Sequence, residues 1–208
     1  MTYSTHAYTP DPRNETILID INGTLYPRHE AKVSVFDSGF VLGDGVWEGL
    51  RVHPGPDGRG VVAFLDRHFK RLWEGAKTLD FAMGLTKEAL AKRLYDCLDA
   101  NSGHEGVHVR LMVSRGVKST PYQDPVSYTH LTLPIVIIPE FKTPVATNAH
   151  SGKRLFTVHV RRTSPDTQDQ KLNSHSKLNC ILACIQATKA GADEALMLDG
   201  QGFVATCN

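Results

Sequence analysis

Residues 170–187 read Gln170-Lys-Leu-Asn-Ser-His-Ser-Lys-Leu-Asn-Cys-Ile-Leu-Ala-Cys-Ile-Gln-Ala187. The first half is a polar loop with two lysines, Lys171 and Lys177. The second half is an apolar helix. A lysine at such a junction is kept out of the core yet can be aimed at a cleft, which is what a Schiff-base lysine needs. Taken alone, either lysine reads equally well as a surface charge.

Outward from this stretch, Ala192–Asp199 reads as a strand, Asp199–Gly202 as a hairpin turn, and Phe203-Val-Ala205 as the returning strand. A strand that returns with nothing to pair against predicts a chain that continues past Asn208. Upstream, Leu155–Arg161 reads as a strand. Glu140–Gly152, with Pro144 and small polar residues, is the linker candidate. Ile135–Pro139 is a buried strand. Val126-Ser-Tyr-Thr-His-Leu-Thr-Leu-Pro134 fits no pattern around it and matches one reading frame of a transposase-based sequencing-library adaptor. We expect it to replace native residues.

The N-terminal half alternates strands and helices. Asn22-Gly23 between β-rich runs predicts a type I′ hairpin over Thr16–Tyr26. Asp20-Ile-Asn-Gly-Thr-Leu25 also resembles a haloacid-dehalogenase-type phosphatase motif. Asn22 stands where that motif needs an acid, however, and no paired-Asp Mg²⁺ site follows. Lys32–Phe36 alternates as a strand and leads into a glycine-rich turn, Asp37–Gly45, that follows neither nucleotide-cradle spacing. Val46–Val52 and Val61–Phe64 read as strands. Asp66 is expected to cap a helix to Leu79, with Leu65, Phe69, Leu72, Trp73, Ala76 and Leu79 on one face. His68 and Arg71 share a face near its start, either as a solvated flank or as an anion site. Thr86 is expected to cap a second helix to Ala100 with Leu90, Leu94, Cys97 and Leu98 inward, and Val107–Ser114 alternates as a strand.

Composition narrows the class. The chain has 208 residues, 41% hydrophobic and 22% charged, an ordinary globular mix. A net charge of +1 gives no footprint for nucleic acid or an anionic membrane. No apolar run approaches the roughly 18 residues of a membrane span, and the polar N-terminus lacks a signal-peptide core. Cys97, Cys180, Cys184 and Cys207 form no C-x-x-C pair, so reduced buried thiols in a cytoplasmic protein are expected. No metal site is expected.

Four stretches in order, Gly43-Asp-Gly-Val-Trp-Glu-Gly-Leu-Arg51, Leu65-Asp-Arg-His-Phe-Lys-Arg-Leu72, Val109-Arg-Leu-Met-Val-Ser-Arg-Gly116 and Ala190-Gly-Ala-Asp-Glu-Ala-Leu-Met-Leu-Asp199, resemble the class IV (fold type IV) aminotransferases that depend on pyridoxal 5′-phosphate (PLP). That group includes branched-chain and D-amino acid aminotransferases and aminodeoxychorismate lyases. The resemblance implies an α+β fold: a small N-terminal α/β domain over 1–139, a linker over 140–152, and over 153–208 the start of a larger barrel-like domain. It also implies a homodimer, with a small amino donor and a 2-oxo acid as substrates. A PLP-dependent lyase and a non-catalytic fragment are the alternatives.

The same resemblance assigns residues. His68-Phe-Lys-Arg71 is similar to the family's H-x-x-R, whose arginine holds the PLP phosphate. The family's lysine stands about 14 or 15 residues before Ala187, on Asn173 or Leu172, and neither is lysine. Lys171 lies 16 residues back and Lys177 lies 10 back. One or two extra loop residues cost little, whereas choosing Lys177 removes about one helical turn of roughly 3.6 residues. Lys171 is therefore the expected catalytic lysine and Lys177 the runner-up. Thr206 stands where the family places a Glu against the ring nitrogen, and supplies a hydroxyl without countercharge. Pro121-Tyr-Gln-Asp124 lacks the Arg and His of the D-amino acid subgroup. Trp47, Arg115 and Tyr122 are candidates for the substrate pocket.

Overall fold

The computed structural model describes residues 10–123, 133–142 and 152–207. The stretch expected to be foreign lies outside the described residues up to position 132. The chain's contacts divide it into two compact units. One holds residues 10–142 with 173–175, and the other holds residues 152–172 with 176–207.

In the first unit, β1 (Leu18–Ile21) and β2 (Thr24–Pro27) form the expected hairpin. Asn22 and Gly23 turn it at φ 56° and 88°, angles these two residue types tolerate. β3 (Gly45–Pro54), β4 (Gly60–Val62), β5 (Val107–Ser114) and β6 (Ile135–Phe141) complete a six-stranded sheet in the order β2-β1-β6-β5-β3-β4, every pair antiparallel. Two helices, α2 (Leu65–Thr78) and α3 (Lys87–Ala100), follow a short α1 (Ser38–Leu42). Strand alternation puts Val46, Leu50 and Val52 of β3 and Val107, Val109, Leu111 and Val113 of β5 into one core with Phe69 and Leu72 of α2 and Leu90, Leu94, Cys97 and Leu98 of α3. The helix faces read from periodicity are thus the ones buried.

Three local expectations need correction here. Lys32–Phe36 forms no strand, and Val33, Val35 and Phe36 are exposed. Asp37–Gly45 is more than a turn. Asp37 Oδ1 accepts the N–H groups of Gly39 and Phe40, which nucleates α1, and Gly43 at φ 71° ends it. α2 starts two residues early, from Phe64 in the left-handed region without a side-chain cap, so Asp66 sits in the first turn. Thr86 does cap α3, accepting from Ala89 N–H.

The second unit has β7 (Leu155–Thr157), α4 (Leu178–Lys189), β8 (Glu194–Leu198) and β9 (Val204–Cys207). β7 pairs parallel to β8, and β8 pairs antiparallel to β9. Val158, Ala183, Ala187, Ala195 and Met197 form its core. β7 stops at Thr157 rather than running to Arg161; beyond it Val158 N–H still reaches Leu196 O, while His159 N–H goes to the side chain of Gln186 on α4. None of the four cysteines is in a disulfide; Cys97 and Cys180 are buried as expected, whereas Cys184 is half-buried and Cys207 exposed. Among the described residues, no helix is long and apolar enough to cross a membrane.

Candidate active site

β3 carries one acid where its alternation is otherwise apolar. Glu48 points to the helix side between Val46 and Leu50 and is 0% exposed. A buried acid requires partners, and α2 supplies two at i, i+3. Arg71 Nε donates to Glu48 Oε1 at 2.7 Å, and its Nη2 donates to Oε2. His68 Nδ1 stands 2.8 Å from Oε2. The Glu48 hydrogen bonds hold the Arg71 guanidinium above its ordinary pKa. The Arg71 side chain is still 50% exposed, and Nη1 hydrogen-bonds nothing among the described residues. Glu48 thus fixes one edge of the guanidinium fork and leaves the other outward, which suits an incoming oxyanion.

The free edge of β3 at Gly45–Trp47 is filled by a three-residue strap, Asn173–His175. Trp47 N–H donates to Asn173 O at 2.8 Å, and His175 N–H donates to Gly45 O at 2.9 Å. The indole Nε1–H of Trp47 donates to Ser174 O at 3.0 Å, and His175 Nε2 meets Val46 O at 3.1 Å. Lys171 and Lys177 lie two residues before and two residues after this strap in sequence. Lys171 is exposed, with its N–H held by Asp169 Oδ1 at 2.9 Å. Lys177 is the residue from which α4 starts.

On the sheet face away from the helices, Arg110 lies over the Trp47 ring, 4.0 Å from its centroid. Burial pushes the Arg110 pKa down, and its guanidinium hydrogen-bonds nothing among the described residues. Beside it, burial and then the charges of Arg51, Lys142 and Arg110 push His108 down to about 4.

The remaining expected site residues divide. Trp47 stands at the strap. Tyr122 is 73% exposed. Arg115 is a brace: Nε and Nη2 hold Asp44, while Nη1 and Nη2 hold the carbonyls of Asp80 and Leu79. Its donors are thereby engaged within the fold, which leaves little for a substrate. Thr206 lies on β9 in the second unit and donates its hydroxyl to Cys207 O at 3.2 Å. The sequence reading missed Glu48, His175 and Arg110. Glu48 had a signal, a charge in the inward register of an apolar strand, and the other two had none.

A model of the family "Amino-transferase class IV" matches residues 45–208. The chain belongs to that family. It is 37% identical over 199 residues to branched-chain-amino-acid aminotransferase-like protein 2 of Arabidopsis thaliana, covering 96% of this chain and 34% of that protein. It is 39% identical over 186 residues to a putative branched-chain-amino-acid aminotransferase of Methanocaldococcus jannaschii, covering 89% and 61%. The branched-chain aminotransferase of the thermophilic archaeon Thermoproteus uzoniensis, solved with norvaline, superposes with a TM-score of 0.78 at 26% identity, over 92% of this chain and 63% of that one. The chain thus spans between 34% and 63% of the length of these relatives.

The family is PLP-dependent, and the residues present can be tested against that cofactor. The outward edge of Arg71 fits a phosphate. An exposed lysine next to the strap fits the aldehyde end. By the sequence resemblance, Thr206 would stand where the family has a Glu at the ring nitrogen, with a hydroxyl and no carboxylate.

Proposed function

We propose that this chain carries part of the machinery for PLP-dependent transamination between an amino acid or amine and a 2-oxo acid. We read residues 1–139 as the small domain, 140–152 as the linker, of which Glu140 and Phe141 still complete β6, and 153–208 as the start of the cofactor domain. The observation that carries the reading is the Glu48–Arg71–His68 cluster, a guanidinium locked by a buried acid with one edge outward. Arg71 anchors the phosphate. Lys171 provides the amine that holds the aldehyde, with Lys177 as runner-up. Once released, Lys171 Nζ takes the proton from the substrate Cα. PLP, when bound, supplies the sink for the electrons that proton leaves behind. Arg110, stacked on Trp47 and short of hydrogen-bond partners, is suited to a substrate carboxylate. Thr206 offers the ring nitrogen a hydrogen bond without a charge, which weakens the sink.

That last feature favours a second reading, a PLP-dependent lyase. A Bacillus subtilis aminodeoxychorismate lyase is 28% identical over 191 residues. Incubating the PLP-loaded chain with a panel of amino donors, with and without 2-oxo acids, separates the two. Transamination predicts amino transfer only when an acceptor is present. Pyruvate released without an acceptor would favour the lyase, and binding without turnover would mark a non-catalytic fragment. We further propose a homodimer, supported by the exposed apolar run Val33, Val35, Phe36 and Phe40. We propose the cytoplasm as its compartment, in keeping with four cysteines of which none is in a disulfide.

A further inference from the structure

The polar strap has a purpose-shaped seat. The His175 ring lies where Gly39 and Gly45 leave room: a Cβ on Gly39 would fall 2.6 Å from His175 Nδ1, and one on Gly45 would fall 2.7 Å from Cε1. Neither contact could be relieved by a small shift alone. The Gly45 Cβ would also meet the Val113 carbonyl at 2.6 Å, and the Gly39 Cβ would meet Ser114 Cβ at 2.9 Å. Nε2 donates to Val46 O, so the neutral ring carries its proton there. The ring, two backbone hydrogen bonds and the Trp47 indole therefore fasten three consecutive residues to the start of β3. Glu48, which orients Arg71, is the next residue of that strand.

We propose that His175 is a positioning residue. Seated on β3, it fixes Asn173–His175, and through them the two ends of the loop from which Lys171 and Lys177 depart. This rests on the PLP reading above. With consecutive Cα atoms about 3.8 Å apart, a lysine two residues from a fixed strap has its Cα confined to within about 8 Å of it. The amine therefore meets the aldehyde from a restricted set of positions. Without the strap the lysine is still present, but it is no longer delivered in register, while the phosphate anchor on Glu48 and Arg71 is untouched.

Two probes of the whole chain separate these parts. The first is PLP itself. Lysine Nζ condenses with the aldehyde and releases water, borohydride then adds hydride to the new bond, and the modified peptide is weighed. The second is pyridoxine 5′-phosphate, which has the phosphate but no aldehyde. Hydrogen exchange of the free chain gives a third readout. In His175→Leu we expect trapping on the lysine to fall at least about tenfold, pyridoxine 5′-phosphate affinity to stay within about twofold, and exchange to rise at 173–178 but not in β5. His175→Gln, which keeps a side-chain N–H for Val46 O, should restore most of the trapping. His175→Leu that traps PLP as well as the unaltered chain overturns the proposal and leaves the PLP reading intact. Equal loss of both probes, or no rescue by His175→Gln, also overturns it. An unaltered chain that binds neither probe overturns the PLP reading and the positioning role with it.

Discussion

Glu48 and Arg71 depend on each other. Replacing Arg71 by Gln leaves Glu48 buried with His68 as its remaining partner. Breaking a buried pair on one side costs about 3–5 kcal/mol, and the half exposure of Arg71 puts this case at the low end. We therefore expect Arg71→Gln to lower unfolding stability by about 3 kcal/mol, read by denaturant titration, and to weaken binding of pyridoxine 5′-phosphate. His108 makes a second prediction, on pH. Its value drops from an ordinary 6.5 to about 4 in the fold. Between those values the unfolded chain takes up a proton that the folded chain refuses. Stability present above about 6.5 should thus be lost as pH falls to about 4, then level off. His108→Gln should show a shallower fall of melting temperature across that window, and an identical slope would refute the assignment. At this scale the sequence was half legible. Arg71 stood out by its spacing from His68, and Glu48 by its wrong-sided charge. Arg110 and His175 owe their proposed roles to residues distant in sequence, Trp47 from a neighbouring strand, Gly39 from α1 and Gly45 from β3, so no local pattern announces them.

Elements were legible where apolar periodicity was strong. The faces of α2 and α3, the alternation of β5 and the Asn22-Gly23 hairpin were all readable because burial on one side leaves a repeating imprint. They failed where side chains override the pattern. Lys32–Phe36 alternates like a strand but joins neither sheet, its end meeting residues 117–118 only through isolated bonds, and its apolar residues stay exposed. The glycines of Asp37–Gly45 hid a one-turn helix whose cause is a single carboxylate. Asp37 is 5% exposed and accepts from Gly39 N–H at 2.9 Å, from Phe40 N–H at 3.2 Å and from the Ser114 hydroxyl at 2.6 Å. Asp37→Ala should therefore cost about 2 kcal/mol, the upper end for a helix cap, measured by thermal or denaturant unfolding. A loss below about 0.5 kcal/mol would show that α1 does not need its cap.

Across the whole molecule, the first unit holds Arg71 and the strap, and the second unit holds both lysines and Thr206. The central claim is the proposal that Lys171 is the Schiff-base lysine and Arg71 the phosphate anchor. The four motifs made the family legible, but no motif chose between Lys171 and Lys177, because the loop before α4 carries its lysines off the family's count. The most direct test is borohydride trapping of PLP on the chain followed by peptide mass mapping. The account predicts the phosphopyridoxyl label on Lys171, abolished by Lys171→Ala and sharply reduced by Arg71→Gln. Label on Lys177 that persists in Lys171→Ala, or label on Lys171 that is indifferent to Arg71→Gln, would contradict it.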